Sequence, residues 1–145
     1  MFRDIIGRSQ GCFGSGGDDD QPVMYRTVDG GRDWARSAPL PDPPGWVTQG
    51  GGFTLRPGYV RAAGADLLVE ASGARGGNGY SYVFRSTDGG ATWRYASNLP
   101  RSATDVAFVT ANRWIEGIEP DQSLETSDAG ASWHPFKTNY SQAAG

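Results

Sequence analysis

The sequence holds one cysteine, Cys12, one lysine, Lys137, and one histidine, His134. A single cysteine excludes an intrachain disulfide and any zinc site built on paired cysteines. Cys12 and His134 alone are poor material for a nucleophile and its base, so Cys12 is read as a small apolar packing residue. No basic run interrupts a chain of net charge −3, which disfavours a phosphate backbone or an anionic membrane as partner. Nucleic acid is therefore not expected. Glutamate is scarce, at Glu70, Glu116, Glu119 and Glu125. No apolar stretch approaches the ~20 residues of a membrane span. The segment from Met1 to Ile6 lacks the charged-then-apolar layout of a signal peptide. The expectation is a soluble chain whose compartment is open. Helical periodicity is absent along the chain.

What is abundant is glycine, at 22 positions, and proline, at 9, with aromatic residues spread along the whole length. That is the composition of many short strands and turns. A chain of 145 residues is one domain by its length and can bury roughly two-thirds of its unfolded surface.

An internal repeat organises these features. The pattern Ser/Thr-x-Asp-x-Gly-x-x-Trp occurs three times: Thr27, Asp29, Gly31, Trp34; then Ser86, Asp88, Gly90, Trp93; then Thr126, Asp128, Gly130, Trp133. Asp29 and Asp88 are 59 residues apart and Asp88 and Asp128 are 40 apart, the unequal periods of a unit with variable loops. Each copy follows a short apolar or aromatic run, Val23 to Arg26, Tyr82 to Arg85 or Ser123 to Glu125, and another run begins at its Trp. Strand, turn, strand is the natural reading.

The residue types of the repeat explain a turn without a substrate. The glycine takes the positive φ that a tight turn needs, and the short carboxylate accepts nearby backbone N–H groups. The Trp then covers the turn with a large apolar face. Because the three carboxylates sit in three separate hairpins, they are assigned a structural role, and no metal site or catalytic set is built from them.

Further strands are expected at Gly52 to Arg56, Asp66 to Ala71, Thr104 to Val109 and Arg113 to Glu116. Four antiparallel strands per repeat is the blade pattern of a β-propeller. The expected fold is all-β, with about three such blades at residues 1–38, 46–98 and 99–138 of a single domain. Before the first hairpin lie only Phe2 to Ile6 and the region of Gly11 to Phe13, so the first blade is short. The acidic stretch Gly14 to Asp20 lacks the alternation and terminal Glu of a calcium loop and is read as a solvated connection. Pro39 to Gly45 is a stiff link between blades. Gly73 to Gly79 is expected to be a loop that holds no phosphate, since no helix follows it. The tail from Ser141 to Gly145 is expected to be disordered.

The three motifs resemble the Asp-box, or BNR, repeat of sialidases, sortilin-type receptors and photosystem II assembly-factor-like proteins. The resemblance covers residues 20–136 and implies that each motif closes the turn between the third and fourth strands of a blade. The last repeat, Asp105 to Trp133, is most similar to the assembly-factor-like group, although Asn112-Arg113-Trp114 lacks the usual Gly before the Trp. Propellers hold about four to eight blades. Three arrangements are therefore open: a fragment of a longer propeller, a half closing as a homodimer into a ring, or an open stack. The first two are favoured, because an open stack leaves an apolar face and strand edges in water.

A sialidase would carry an early Arg-Ile-Pro motif, three arginines converging on a carboxylate, and a Tyr–Glu pair. The nearest segment, Leu55-Arg56-Pro57-Gly58, lacks the middle residue. Arginines 56, 61, 75, 85, 94, 101 and 113 are carboxylate-clamp chemistry, but on a β surface such groups are commonly solvated or paired with Asp. Glycoside hydrolysis needs two carboxylates about 5 to 10 Å apart, and no spacing selects two of the four glutamates. No catalytic residue, metal or cofactor is assigned. The expected function is a noncatalytic module that binds a protein or glycan partner or serves assembly; the alternative is a truncated or divergent sialidase-type glycoside hydrolase.

Overall fold

The computed structural model describes residues 5–8, 22–45, 55–75, 78–100, 106–117 and 123–136. Cys12, the Gly14 to Asp20 stretch, Arg101, Glu119, Lys137 and the tail lie outside these residues, as does most of the strand expected at Gly52 to Arg56. The described residues are all-β, with eleven strands in three antiparallel sheets. Sheet 1 is β1 (Ile5–Arg8), β2 (Val23–Arg26) and β3 (Ala35–Arg36). Sheet 2 is β4 (Arg56–Ala63), β5 (Asp66–Arg75), β6 (Asn78–Ser86) and β7 (Arg94–Asn98). Sheet 3 is β8 (Val106–Phe108), β9 (Trp114–Glu116), β10 (Leu124–Thr126) and β11 (His134–Pro135). Each sheet is a meander whose strands pair in chain order.

Two expectations are corrected. Gly73 to Gly79 is not a loop throughout: β5 and β6 continue their register through Gly73↔Tyr80, Ala74↔Gly79 and Arg75↔Asn78. Once Leu67 to Ser72 are paired with the opposing strand, each further ladder bond needs only backbone groups, which glycine supplies. Arg56 does not end a strand; it opens β4, which carries Pro57. Pro57 is tolerated because β4 is the edge of its sheet and its register shifts between Pro57 and Val60, so no ladder donor is lost there.

Sheet 2 is the middle layer, and period-2 alternation divides its residues between two neighbours. Val69, Ala71 and Phe84 pack with Met24 and Leu40 of the sheet 1 unit, together with Leu55 and Trp93. Leu68, Val83, Ala63 and Leu99 pack with Trp114, with Val106, Phe108 and Trp133 against them, on the sheet 3 side. This is why β5 and β6 carry consecutive apolar residues instead of clean alternation: Leu67-Leu68-Val69 and Tyr82-Val83-Phe84 must each serve two cores. Burying Phe84 and Trp114 completely stabilises the layers by about 2 to 3 kcal/mol per side chain.

The seams between sheets also carry polar bonds. Ala38 N–H donates to Ala91 O at 2.9 Å and Arg26 reaches Gly89 O at 3.4 Å, tying sheet 1 to the turn of sheet 2. Ser97 Oγ donates to Gly130 O at 2.9 Å, tying sheet 2 to the turn of sheet 3. Arg85 pairs with Asp66 inside sheet 2 and donates to Asn112 Oδ1 at 3.1 Å across the same seam. Leu40, Leu99 and Phe136 end the three hairpins alike, each donating its N–H to a carbonyl of the incoming segment: Pro22 and Ser123 just before β2 and β10, and Ser81 within β6.

Candidate functional site

The three repeated turns share one hydrogen-bonded design. A buried hydroxyl, on Thr27, Ser86 or Thr126, donates to the carboxylate two residues on, at 2.7, 2.8 and 2.7 Å. The same hydroxyl accepts the N–H of Gly31, Gly90 or Gly130 at 2.9, 2.8 and 2.9 Å. The carboxylate then accepts backbone N–H groups from the far side of the turn: Arg32 and Asp33 on Asp29, Ala91 and Thr92 on Asp88, Ser132 on Asp128. The glycines have φ of 90°, 86° and 87°, a region L side chains enter at a cost of about 1 to 2 kcal/mol. Ala129 nonetheless takes φ 57°, held by its N–H bond to Asn112 O at 2.8 Å.

The turns differ in the residue before the Trp. Thr92 and Ser132 add a hydroxyl donor to the second carboxylate oxygen of Asp88 and Asp128, both at 2.5 Å. The first turn has Asp33 there, which offers only its backbone N–H. The acidities follow. The Thr92 hydroxyl, with the Thr92 N–H and Ser86, holds Asp88 far below the ordinary carboxylate value of 3.8. The Ser132 hydroxyl and N–H, with Thr126, bring Asp128 down to about 2. Asp29 is lowered chiefly by the Thr27 hydroxyl. Among the described residues every bond to these carboxylates comes from within its own turn, so their chemistry there is turn closure. Among the described residues no cluster of three or more His, Cys, Asp or Glu could hold a metal ion.

Among the described side chains the arginines do not form a clamp. Arg85 is committed to Asp66, and Arg113 bonds Glu125 at 2.5 Å. Arg61 lies over the ring of Tyr59 at 5.3 Å, while Arg56 and Arg94 open strands at opposite edges of sheet 2. Among the glutamates, register turns Glu70 of β5 and Glu116 of β9 toward the seam between sheets 2 and 3, since Glu70 shares a face with Leu68 and Glu116 with Trp114. Glu116 is 0% exposed, and a carboxyl so enclosed cannot meet a sugar from solvent.

Solvent reaches tyrosines instead, which lie outside the repeated motif. Tyr59 is 81% exposed at the irregular stretch of β4, under the Arg61 guanidinium. Tyr80 is 41% exposed and stacks on Tyr82 with ring centroids 6.4 Å apart and planes 18° from parallel; Tyr82 in turn meets Tyr95 at 6.4 Å. Burial raises the Tyr95 phenol pKa above its ordinary value. Rings presented this way offer an apolar face and a polar tip at low entropic cost, the combination enriched at interfaces. The sequence signal was the alternation of Tyr80, Tyr82 and Phe84 on one strand face.

No protein-family model matches the chain, and a search of curated proteins returned no match. Among the described residues no helix is long and apolar enough to cross a membrane.

Proposed function

We propose that this chain is a noncatalytic Asp-box β-propeller module that binds a protein or glycan partner through strand and loop surfaces, or serves assembly. The observation that carries the reading is the stacking of three meander sheets in a row, each later sheet docking its repeated turn on the sheet before it. In a propeller, blades meet face to face around an axis, and a turn that locks onto the preceding blade fixes their spacing. The second and third turns are consumed by this task, and we take the exposed tyrosines of sheet 2 as the recognition groups. The enclosure of Glu116 and the pairing of Arg85 and Arg113 weigh against the glycosidase alternative.

The test has two arms on the same preparation. A glycan array and a protein-capture screen should yield a ligand whose binding falls at least about tenfold on Tyr59→Ala or Tyr80→Ala, with the melting temperature retained. A sialoside reporter should show no turnover. Turnover by the purified chain would overturn the noncatalytic reading.

A further inference from the structure

One seam is built twice inside this chain, and register defines its equivalent positions. The residues preceding the hydroxyls of the three turns are Arg26, Arg85 and Glu125, and their cross-strand partners are Ile5, Leu68 and Ile115. At the first seam, Trp93 of the second turn packs in the cluster with Met24 and Leu40, while Arg26 donates to Gly89 O. At the second, Trp133 of the third turn packs against the cluster of Leu68, Val83 and Leu99, while Arg85 donates to Asn112 Oδ1.

Two halves of the same seam stay open. The first turn leaves Trp34 40% and Val28 56% exposed. The outer side of sheet 3 presents a cross-sheet row, Ala107, Ile115, Glu125 and His134, with Ala107 and His134 exposed and Val109 48% exposed beside them. Where Arg26 and Arg85 supply donors, sheet 3 has Glu125, whose Oε1 is held by the neighbouring Arg113 and whose side chain stays 29% exposed, so its second oxygen can take a donor from whatever covers it. The first turn carries Arg32 at the position where the second and third turns have Ala91 and Ala131.

We propose that a second copy of this chain seats its first turn on the outer side of sheet 3, with Trp34 and Val28 over the Ala107–Ile115 row and Arg32 against Glu125. The inference rests on the reading of the sheets as propeller blades. Each copy offers both halves, so two copies can satisfy both through the same head-to-tail contact, which closes when the rotation allows. Three sheets from each copy fall within the about four to eight blades of closed propellers.

Light scattering behind size exclusion, at micromolar concentration, tests the contact. The expected particle has twice the 15.5 kDa mass of one chain. Arg32→Glu and Ile115→Arg should each raise its dissociation constant about tenfold or more, with the near-ultraviolet circular dichroism of the dilute chain retained. A folded monomer at every concentration overturns the proposal and passes the seat to another blade of a longer chain; a dimer indifferent to both substitutions overturns it equally. Neither result alters the glycan and sialoside readouts, which judge the module by itself.

Discussion

The first and third turns obey the same pattern and make the same core of bonds, yet one stands in solvent and the other is clamped. Gly31 is exposed, and a Cβ built there would meet only the Trp34 ring, at an ordinary 3.7 Å. A Cβ on Gly130 would lie 2.5 Å from Ser97 and 2.9 Å from the Trp114 ring. The second turn sits with the third: Trp93 is 6% exposed, and its Nε1 has no partner among the described residues, whereas Trp34 Nε1 closes onto Gly31 O at 3.1 Å. The turn is thus a local device and its docking a separate, tertiary one. The seam gains apolar burial at Trp93 even though the indole N–H goes unpaired.

The sharpest way to break the comparison is to truncate the indoles. Trp93→Ala should cost about 4 kcal/mol, because it empties the cluster shared with Met24 and Leu40. Trp34→Ala should cost about 1 kcal/mol in the dilute chain, since solvent already reaches that ring. Urea unfolding of both variants measures the difference, and equal losses would show that the first turn is docked as firmly as the second.

Glycine substitution is the next largest effect. Gly130→Ala combines backbone strain with a clash against Ser97 and should cost about 3 kcal/mol. Gly31→Ala meets the strain alone and should cost about 1 kcal/mol. Thermal unfolding of the pair would separate the two contributions.

The smallest effect is electrostatic. A carboxylate whose folded pKa lies below its ordinary value stabilises the fold above that ordinary value and loses its contribution as pH falls through the folded pKa. The window therefore opens near 3.8 and, for Asp128, closes at about 2. Carboxyl titration by nuclear magnetic resonance should find Asp29 protonating before Asp128, and Asp88 last. Asp33→Thr, which gives the first turn the hydroxyl of the other two, should move Asp29 downward and raise the melting temperature slightly. An unmoved Asp29 would mean that the extra hydroxyl is not what separates the turns.

Much of this is legible in the residues alone. The serine or threonine, aspartate and glycine of each copy announce a turn because their chemistry acts within eight residues, and the runs before Thr27, Ser86 and Thr126 announce a strand by composition. Strand limits were less legible: Pro57 and the glycines from Gly73 to Gly79 read as breakers, but an edge position and an already paired ladder absorbed them. The alternation of Tyr80, Tyr82 and Phe84 was legible, but the exposure of the tyrosine surface was not. Tyr80 and Tyr82 share a strand face, and only the neighbouring layers decide that Tyr80 keeps two-fifths of its surface in solvent while Tyr82 is half-buried.

The sequence by itself determined the three turns, their hydrogen-bond chemistry and the all-β character, since each depends on residues close along the chain. Tertiary structure alone decided which turn is buried, that Leu68 and Val69 serve different cores, that Arg85 and Arg113 are paired, and that Glu116 is enclosed. Those outcomes depend on which sheet faces which, and packing between distant segments is written in no local pattern of residues.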